Sequence, residues 1–210
     1  MAPLRSDAAR NRQRLLEAAA EVFATRGTSA SLKDVADHAG LGVGTVYRHL
    51  PDKEAAIVAL LRPQLEGLTA LAEEALARPD PARAFVWLLE ETSAVMAGSA
   101  ALSEVIVDPG PVPDPLRGLV AEIIGLAGDL LVRAQSAGGI RADLVASDLP
   151  LILTAAHAIE RTFGCRSPGV HRRILDLLID GAMATPADRP SLTTPPLPLS
   201  VLLAEDEPSG

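Results

Sequence analysis

The chain is predicted to be all-helical, and three observations carry that prediction. Apolar residues make up 48% of the 210 residues and aromatic ones only 2%, so the core must be built from Leu, Ala, Val and Ile. Ala and Leu are strong helix formers. Apolar residues recur at three- and four-residue spacing along most of the chain, the period of a helix with one buried face. No segment shows the two-residue alternation of a half-buried strand. The length suits one large domain, or a small domain plus a medium one.

The first helix is predicted over about 6–26. Leu15, Leu16, Ala19, Val22 and Phe23 form its apolar stripe, and Gly27 stands where a helix commonly ends in a left-handed residue. The second begins at Ser31, which makes a capping-box pair with Asp34; Leu32, Val35 and Ala36 face inward and Gly40 stops it. A third helix spans about 43–49. Pro51 interrupts the pattern, and Asp52 suits the N-cap of a fourth helix from Lys53, with Ile57, Leu60 and Leu61 on one face. Pro63 reads as a kink or as the opening of a further helix over 63–78.

Residues 82–98 supply another helix, with Phe85, Leu88, Leu89, Val95 and Met96 as its apolar set, and a short one is expected over 100–107. The alternating prolines of 108–115 exclude regular helix. A long helix is expected from Leu116 to Ala137, closed by Gly138 and Gly139, then a connector over 140–144. Two last helices are expected over 148–163 and 168–183. Residues 185–210, with six prolines and the acidic end Glu205-Asp206-Glu207, read as a flexible tail.

Charge is unevenly spread. Residues 1–62 hold nine Lys or Arg against seven Asp or Glu, a balance of +2, and the remainder carries −10 of the total −8. Such asymmetry points to a polyanion as partner of the N-terminal part alone. Cys165 is the only cysteine, so no intrachain disulfide can form, and it is expected to be an inert thiol. The N-terminus lacks the apolar stretch of a signal peptide, and no uninterrupted run approaches the ~18–20 apolar residues of a membrane span. A cytoplasmic protein without membrane contact is expected.

The stretch 31–53 carries the most specific signal. A DNA-reading helix pair needs a tight turn, an apolar underside and an outer face that reaches the groove. Gly40 supplies the turn, and Val35, Ala36, Leu41 and Val46 the underside. Gly42, Gly44, Thr45, Tyr47, Arg48 and His49 make the outer face. The glycines admit close backbone approach. Arg48 can donate twice to a guanine edge or reach a phosphate, while Tyr47 and His49 can donate to phosphates. Lys53 at the start of the next helix is a further phosphate contact. Arg10, Arg12, Ser31 and Lys33 complete the candidate DNA-binding set.

At these residues the chain resembles the TetR family of bacterial regulators. The resemblance runs through Phe23-Ala-Thr-Arg-Gly27, Ser31-Leu-Lys-Asp-Val-Ala36, Ala39-Gly-Leu-Gly-Val-Gly-Thr-Val-Tyr-Arg-His-Leu50 and Asp52-Lys53-Glu54. Leu50 stands where the family pattern has Phe, and Gly42 and Val43 stand where many members have Ser and Lys. The resemblance implies an all-α protein in which an N-terminal three-helix helix-turn-helix domain, 6–53, sits on a larger helical ligand-binding and dimerisation domain, 54–184. It also implies a homodimer through the helices near 148–163 and 168–183, a palindromic double-stranded operator, and release of DNA by a small-molecule effector.

Residues that could line an effector pocket are Trp87, Glu90, Glu91, Met96 and His157. Other chemistries find little support. Gly40-x-Gly42-x-Gly44 lacks the third glycine and the preceding strand of a nucleotide loop. His157 and Glu160 lie one turn apart but have no further His or Cys cluster, which favours a polar pair over a metal site. His171, beside Arg172 and Arg173, reads as surface. With no nucleophile–base pair and no phosphate loop, neither an enzyme nor a cofactor is expected. An architectural or activating DNA-binding protein without ligand control is the competing reading.

Overall fold

The computed structural model describes residues 3–99, 101–103, 112–163, 169–184 and 191–198, without the side chains of residues 3–13, 24, 28 and 161. The helices are α1 (Pro3–Arg26), α2 (Leu32–Ala39), α3 (Val43–His49), α4 (Lys53–Ala77), α5 (Pro81–Ala97), α6 (Asp114–Ser136), α7 (Asp148–Phe163) and α8 (Val170–Ala182). A 3-10 turn, Gly27–Ser29, links α1 to α2. The all-helical expectation holds throughout the described residues.

Local chemistry sets the boundaries. The Ser31 hydroxyl accepts from the Asp34 N–H and the Asp34 carboxylate accepts from the Ser31 N–H, so the predicted capping box is complete. Gly40 ends α2 at φ +64°, a left-handed turn that costs glycine least. Asp52 caps α4 by accepting from the Ala55 N–H at 2.7 Å, and Asp80 caps α5 through the Arg83 N–H at 3.0 Å.

Three boundaries depart from the sequence reading. Pro63 lies inside one continuous helix, α4, rather than between two. It forfeits one backbone hydrogen bond, but Leu61, Leu65 and Leu68 on either side of it are buried and hold both halves to the same core. Helix α6 starts at Asp114, two residues early, because Pro115 falls in its first turn, where a fixed φ is favourable and the missing N–H is not needed. Part of the tail is anchored: the Leu192 N–H donates to the Asp143 carboxylate at 2.7 Å. Of the short helix expected over 100–107, residues 101–103 are helical and 104–107 lie outside the described residues. Residues 108–111 of the proline-rich loop, the start expected at Pro168, and Cys165 also lie outside them.

Packing builds outward from α4. It rests on α1, which also holds α2, and α2 in turn holds α3. It also packs against α5 and α6, while α7 packs on α5 and pairs with α8. One hydrophobic core runs through both parts, from Leu15, Phe23, Val35 and Val46 to Leu65, Phe85, Met96 and Leu130. Helix α4 is long and apolar enough to cross a membrane by length and composition, which its division at Pro63 concealed in the sequence. Its apolar face is instead the centre of this core.

A single antiparallel bridge, Ile140 with Met183, ties the connector after α6 to the end of α8. There the backbone passes so near α5 that a Cβ on Gly139 would stand 2.4 Å from the Ala82 Cβ. Gly139→Ala is therefore expected to lower stability by about 1–3 kcal/mol. Combining it with Ala82→Gly should cost less than the sum of the two single changes, read by thermal denaturation of all four proteins.

Candidate functional site

The outward face of α3 forms from its two-sided packing. Val46 is fully buried in the core where α3 packs on α2, and Leu50 is buried just beyond the helix. At helical spacing this turns Val43, Gly44, Tyr47 and Arg48 to solvent. Tyr47 is 51% exposed and Val43 41%. A large aromatic residue left half bare beside an arginine makes this face a candidate contact surface. Thr45 and His49 are half-buried at the flanks of this face.

Gly42 and Gly44 are exposed, and a Cβ on either would meet nothing within 4 Å. The fold therefore does not require glycine at these two positions. What they provide is a bare backbone on the side that faces outward.

The remaining candidates differ in availability. Lys33 on α2 and Lys53 at the start of α4 are exposed. Ser31 is exposed, but its hydroxyl is engaged with Asp34 as a helix cap. At the start of α4 the Asp52 carboxylate engages the Ala55 N–H, and the Lys53 ammonium stands exposed beside it. Arg10 and Arg12 lie on α1, with side chains outside the described residues. Arg14, also near the start of α1, donates to the Ala39 carbonyl at 3.2 Å and so caps the end of α2.

Asp34 stiffens this head. Its carboxyl is held below the ordinary value by the Ser31 hydroxyl first, then by the Ser31 N–H, while burial opposes and Arg26 adds a smaller pull. Arg26 donates to it at 2.8 Å. Glu21 and His38 approach to 2.6 Å and join α1 to α2.

An apolar cavity of about 90 Å³ lies in the second part, between α4, α5, α6 and α7. Its wall includes Leu65 and Leu68 from α4, Phe85 and Thr92 from α5, Ile124 from α6, and Leu149 and Leu153 from α7. None of the five residues picked from the sequence lines it. Met96 is buried in the core, and Trp87 carries the Arg78 guanidinium 3.4 Å from its ring centre. Glu90 and Glu91 border a separate polar recess shared with His171 and Asp176.

His157 is buried and bonds the Ser93 hydroxyl at 3.1 Å. His171, expected at the surface, is buried as well, because the face of α8 that packs on α7 carries it inward to stack on His157 at 5.1 Å. Glu160 accepts from the ring and the N–H of His171 and from the Gly169 N–H. The His171 hydrogen bond is the largest cause holding the Glu160 carboxyl below its ordinary value, with burial acting against it. His157 and Glu160 thus serve different partners, and among the described residues no group of three or more His, Cys, Asp or Glu could hold a metal ion.

Residues 15–60 match the family model for bacterial regulatory proteins of the tetR family, and residues 80–184 match the C-terminal domain of SbtR-like transcriptional regulators. The chain belongs to the TetR family of bacterial transcriptional regulators. A TetR transcription regulatory protein from Mycobacterium vanbaalenii is 31% identical at a TM-score of 0.53, covering 86% of this chain and 99% of that one. The TetR regulator SCO0520 of Streptomyces coelicolor is 29% identical at the same score, covering 83% and 99%. The transcriptional repressor KstR2 of Rhodococcus jostii is 37% identical over 83 residues, which are 39% of this chain and 41% of that repressor. The chain thus spans less than half the length of that curated relative. In this TetR regulator the matched N-terminal segment contains the exposed α3 face, and the matched C-terminal segment contains most of the cavity wall.

The pH dependence of the TetR head follows from Asp34. A carboxyl depressed in the folded state contributes stability that is complete above its unfolded value near 3.8 and is lost as pH falls through the lower folded value. Asp34→Asn is expected to be less stable near neutrality and to show a shallower acid transition, followed by circular dichroism along an acid titration.

Proposed function

We propose that this regulator is a homodimeric repressor that binds an inverted-repeat operator and leaves it when a small-molecule effector occupies the second domain. The observation that carries the reading is the half-bare Tyr47 ring beside Arg48 on a helix whose opposite side is fixed by buried Val46. Arg48 reads a base edge or a phosphate, Tyr47, Thr45 and His49 hold the backbone, and Gly42 and Gly44 let α3 sink toward the groove. Lys33 and Lys53 add phosphate contacts, and Arg10 and Arg12 extend them along the start of α1. Ser31 acts through the cap it gives α2.

Dimerisation is supported by the α7–α8 pair. Leu177 is 60% exposed, and Leu151 and Phe163 are also substantially bare, on the two helices expected to meet a second copy. Two α3 helices can enter successive major grooves only at a spacing of about 34–36 Å or a multiple, which makes the operator two-fold symmetric.

Effector control is supported by α4. The same rigid helix begins directly after α3 and contributes Leu65 and Leu68 to the cavity wall. A molecule that widens the cavity displaces α4 and with it the head. Its effect on DNA is bounded by its difference in affinity for the two arrangements. A bacterial protein that acts on chromosomal DNA works in the cytoplasm.

Two substitutions separate DNA contact from folding. Gly44→Ala is expected to leave the melting temperature unchanged or raised, since a helical alanine gains up to about 1 kcal/mol over glycine, while weakening duplex binding. Lys53→Ala should flatten the dependence of log affinity on log salt by ~0.9 for the one phosphate contact removed. Both are read by fluorescence anisotropy on the operator across a salt series. An unchanged slope removes Lys53 from the interface, and unchanged affinity of Gly44→Ala removes close backbone approach.

A further inference from the structure

We infer that the cavity selects a slender, uncharged aliphatic molecule bearing one hydrogen-bonding group, and that Thr92 is the residue that fixes that group. The inference rests on the reading that this cavity is the effector site. Apart from Thr92, its wall is made of aliphatic side chains with a single aromatic ring, Phe85, and contains no ionisable residue. An ammonium or carboxylate placed there would lose its hydration with no opposite charge to replace it. One ring offers no sandwich for a flat aromatic ligand. At about 90 Å³ the space is narrow, and Leu68, Ile124 and Leu153 can turn aside for a flexible chain more readily than for a rigid ring system.

Thr92 is the one polar side chain in the wall. It is buried on α5. Among the described residues its hydroxyl has no hydrogen-bond partner, whereas Thr69 and Thr162 on neighbouring helices each donate to the carbonyl four residues back. It is also not sealed, since no buried side-chain oxygen or nitrogen is left without a partner. The geometry is that of a hydroxyl opening onto an apolar space. A ligand with a carbonyl or hydroxyl at this point satisfies Thr92, and one without such a group leaves it desolvated and unpaired.

Purified full-length protein tests the inference with 1-octanol, 2-octanone, octanoate and octylammonium at near-neutral pH, by thermal shift and calorimetric titration. Octanol and octanone are expected to bind and raise the melting temperature. Octanoate and octylammonium should bind about tenfold or more weakly. Thr92→Val, which keeps the shape and removes the hydroxyl, should weaken octanol and octanone about three- to tenfold, and Thr92→Ser should retain them. Tighter binding of either charged probe overturns the charge argument, and undiminished binding by Thr92→Val overturns the role of Thr92. Absence of binding by all four probes rejects the proposed ligand class and leaves operator recognition standing. Octanol binding without release of the operator rejects effector control and leaves the ligand chemistry standing.

Discussion

The burial of Val46 where α3 packs on α2 is the constraint from which the rest follows. A seven-residue helix is too short to persist alone in water. Helix α3 therefore owes its existence and its orientation to what it packs on. Val46 is sealed, Leu50 closes the same side, and the opposite face has no choice but to present Gly44, Tyr47 and Arg48 outward. Full burial of such a side chain contributes roughly 1.5–3 kcal/mol. That exceeds the small gain available to any exposed side chain on the outer face. Function here is the unburied remainder of a packing solution.

The platform beneath it is stiffened by local polar devices rather than by bulk. The Ser31–Asp34 capping box, Arg26 on Asp34, Arg14 on the last carbonyl of α2 and the Glu21–His38 pair all bind α1, α2 and their connecting turn into one unit. Each is exposed and individually worth little. Together they fix α2 on α1, and Gly40 supplies the left-handed turn from which α3 leaves α2. Below, α4 joins this head to the part of the fold that holds the cavity without a break, so motion in one part is geometrically available to the other. Continuity through Pro63 bears on the proposed effector control: two separate helices would allow the cavity to change shape while the head stayed still.

Much of this was legible in the sequence because its signals are local. The capping box, the glycine turn, the Asp52 cap and the spacing of Val46, Tyr47 and Arg48 lie within 23 consecutive residues, and each has a single structural meaning. The cavity was not legible for the opposite reason. It is assembled from four helices far apart in the chain, and each wall residue reads as ordinary core. Polar residues such as Glu90 and Glu91 drew attention instead, although the cavity is defined by the absence of charge. His171 was misplaced because its basic neighbours Arg172 and Arg173 suggest surface, whereas the pairing of α7 and α8 decides which side of α8 turns inward. Pro63 misled because proline penalises a helix locally, while burial on both sides of it acts over the whole of α4.

The most direct measurement is selection of bound duplexes from a random pool by the purified full-length protein, followed by sequencing. If α3 reads DNA as part of a two-fold dimer, the enriched sequences will contain inverted repeats whose half-site centres lie about one helical turn, or a multiple of it, apart. Enrichment of unpaired or directly repeated sites would contradict the dimer geometry. Absence of any enrichment would contradict the assignment of the Tyr47–Arg48 face to DNA.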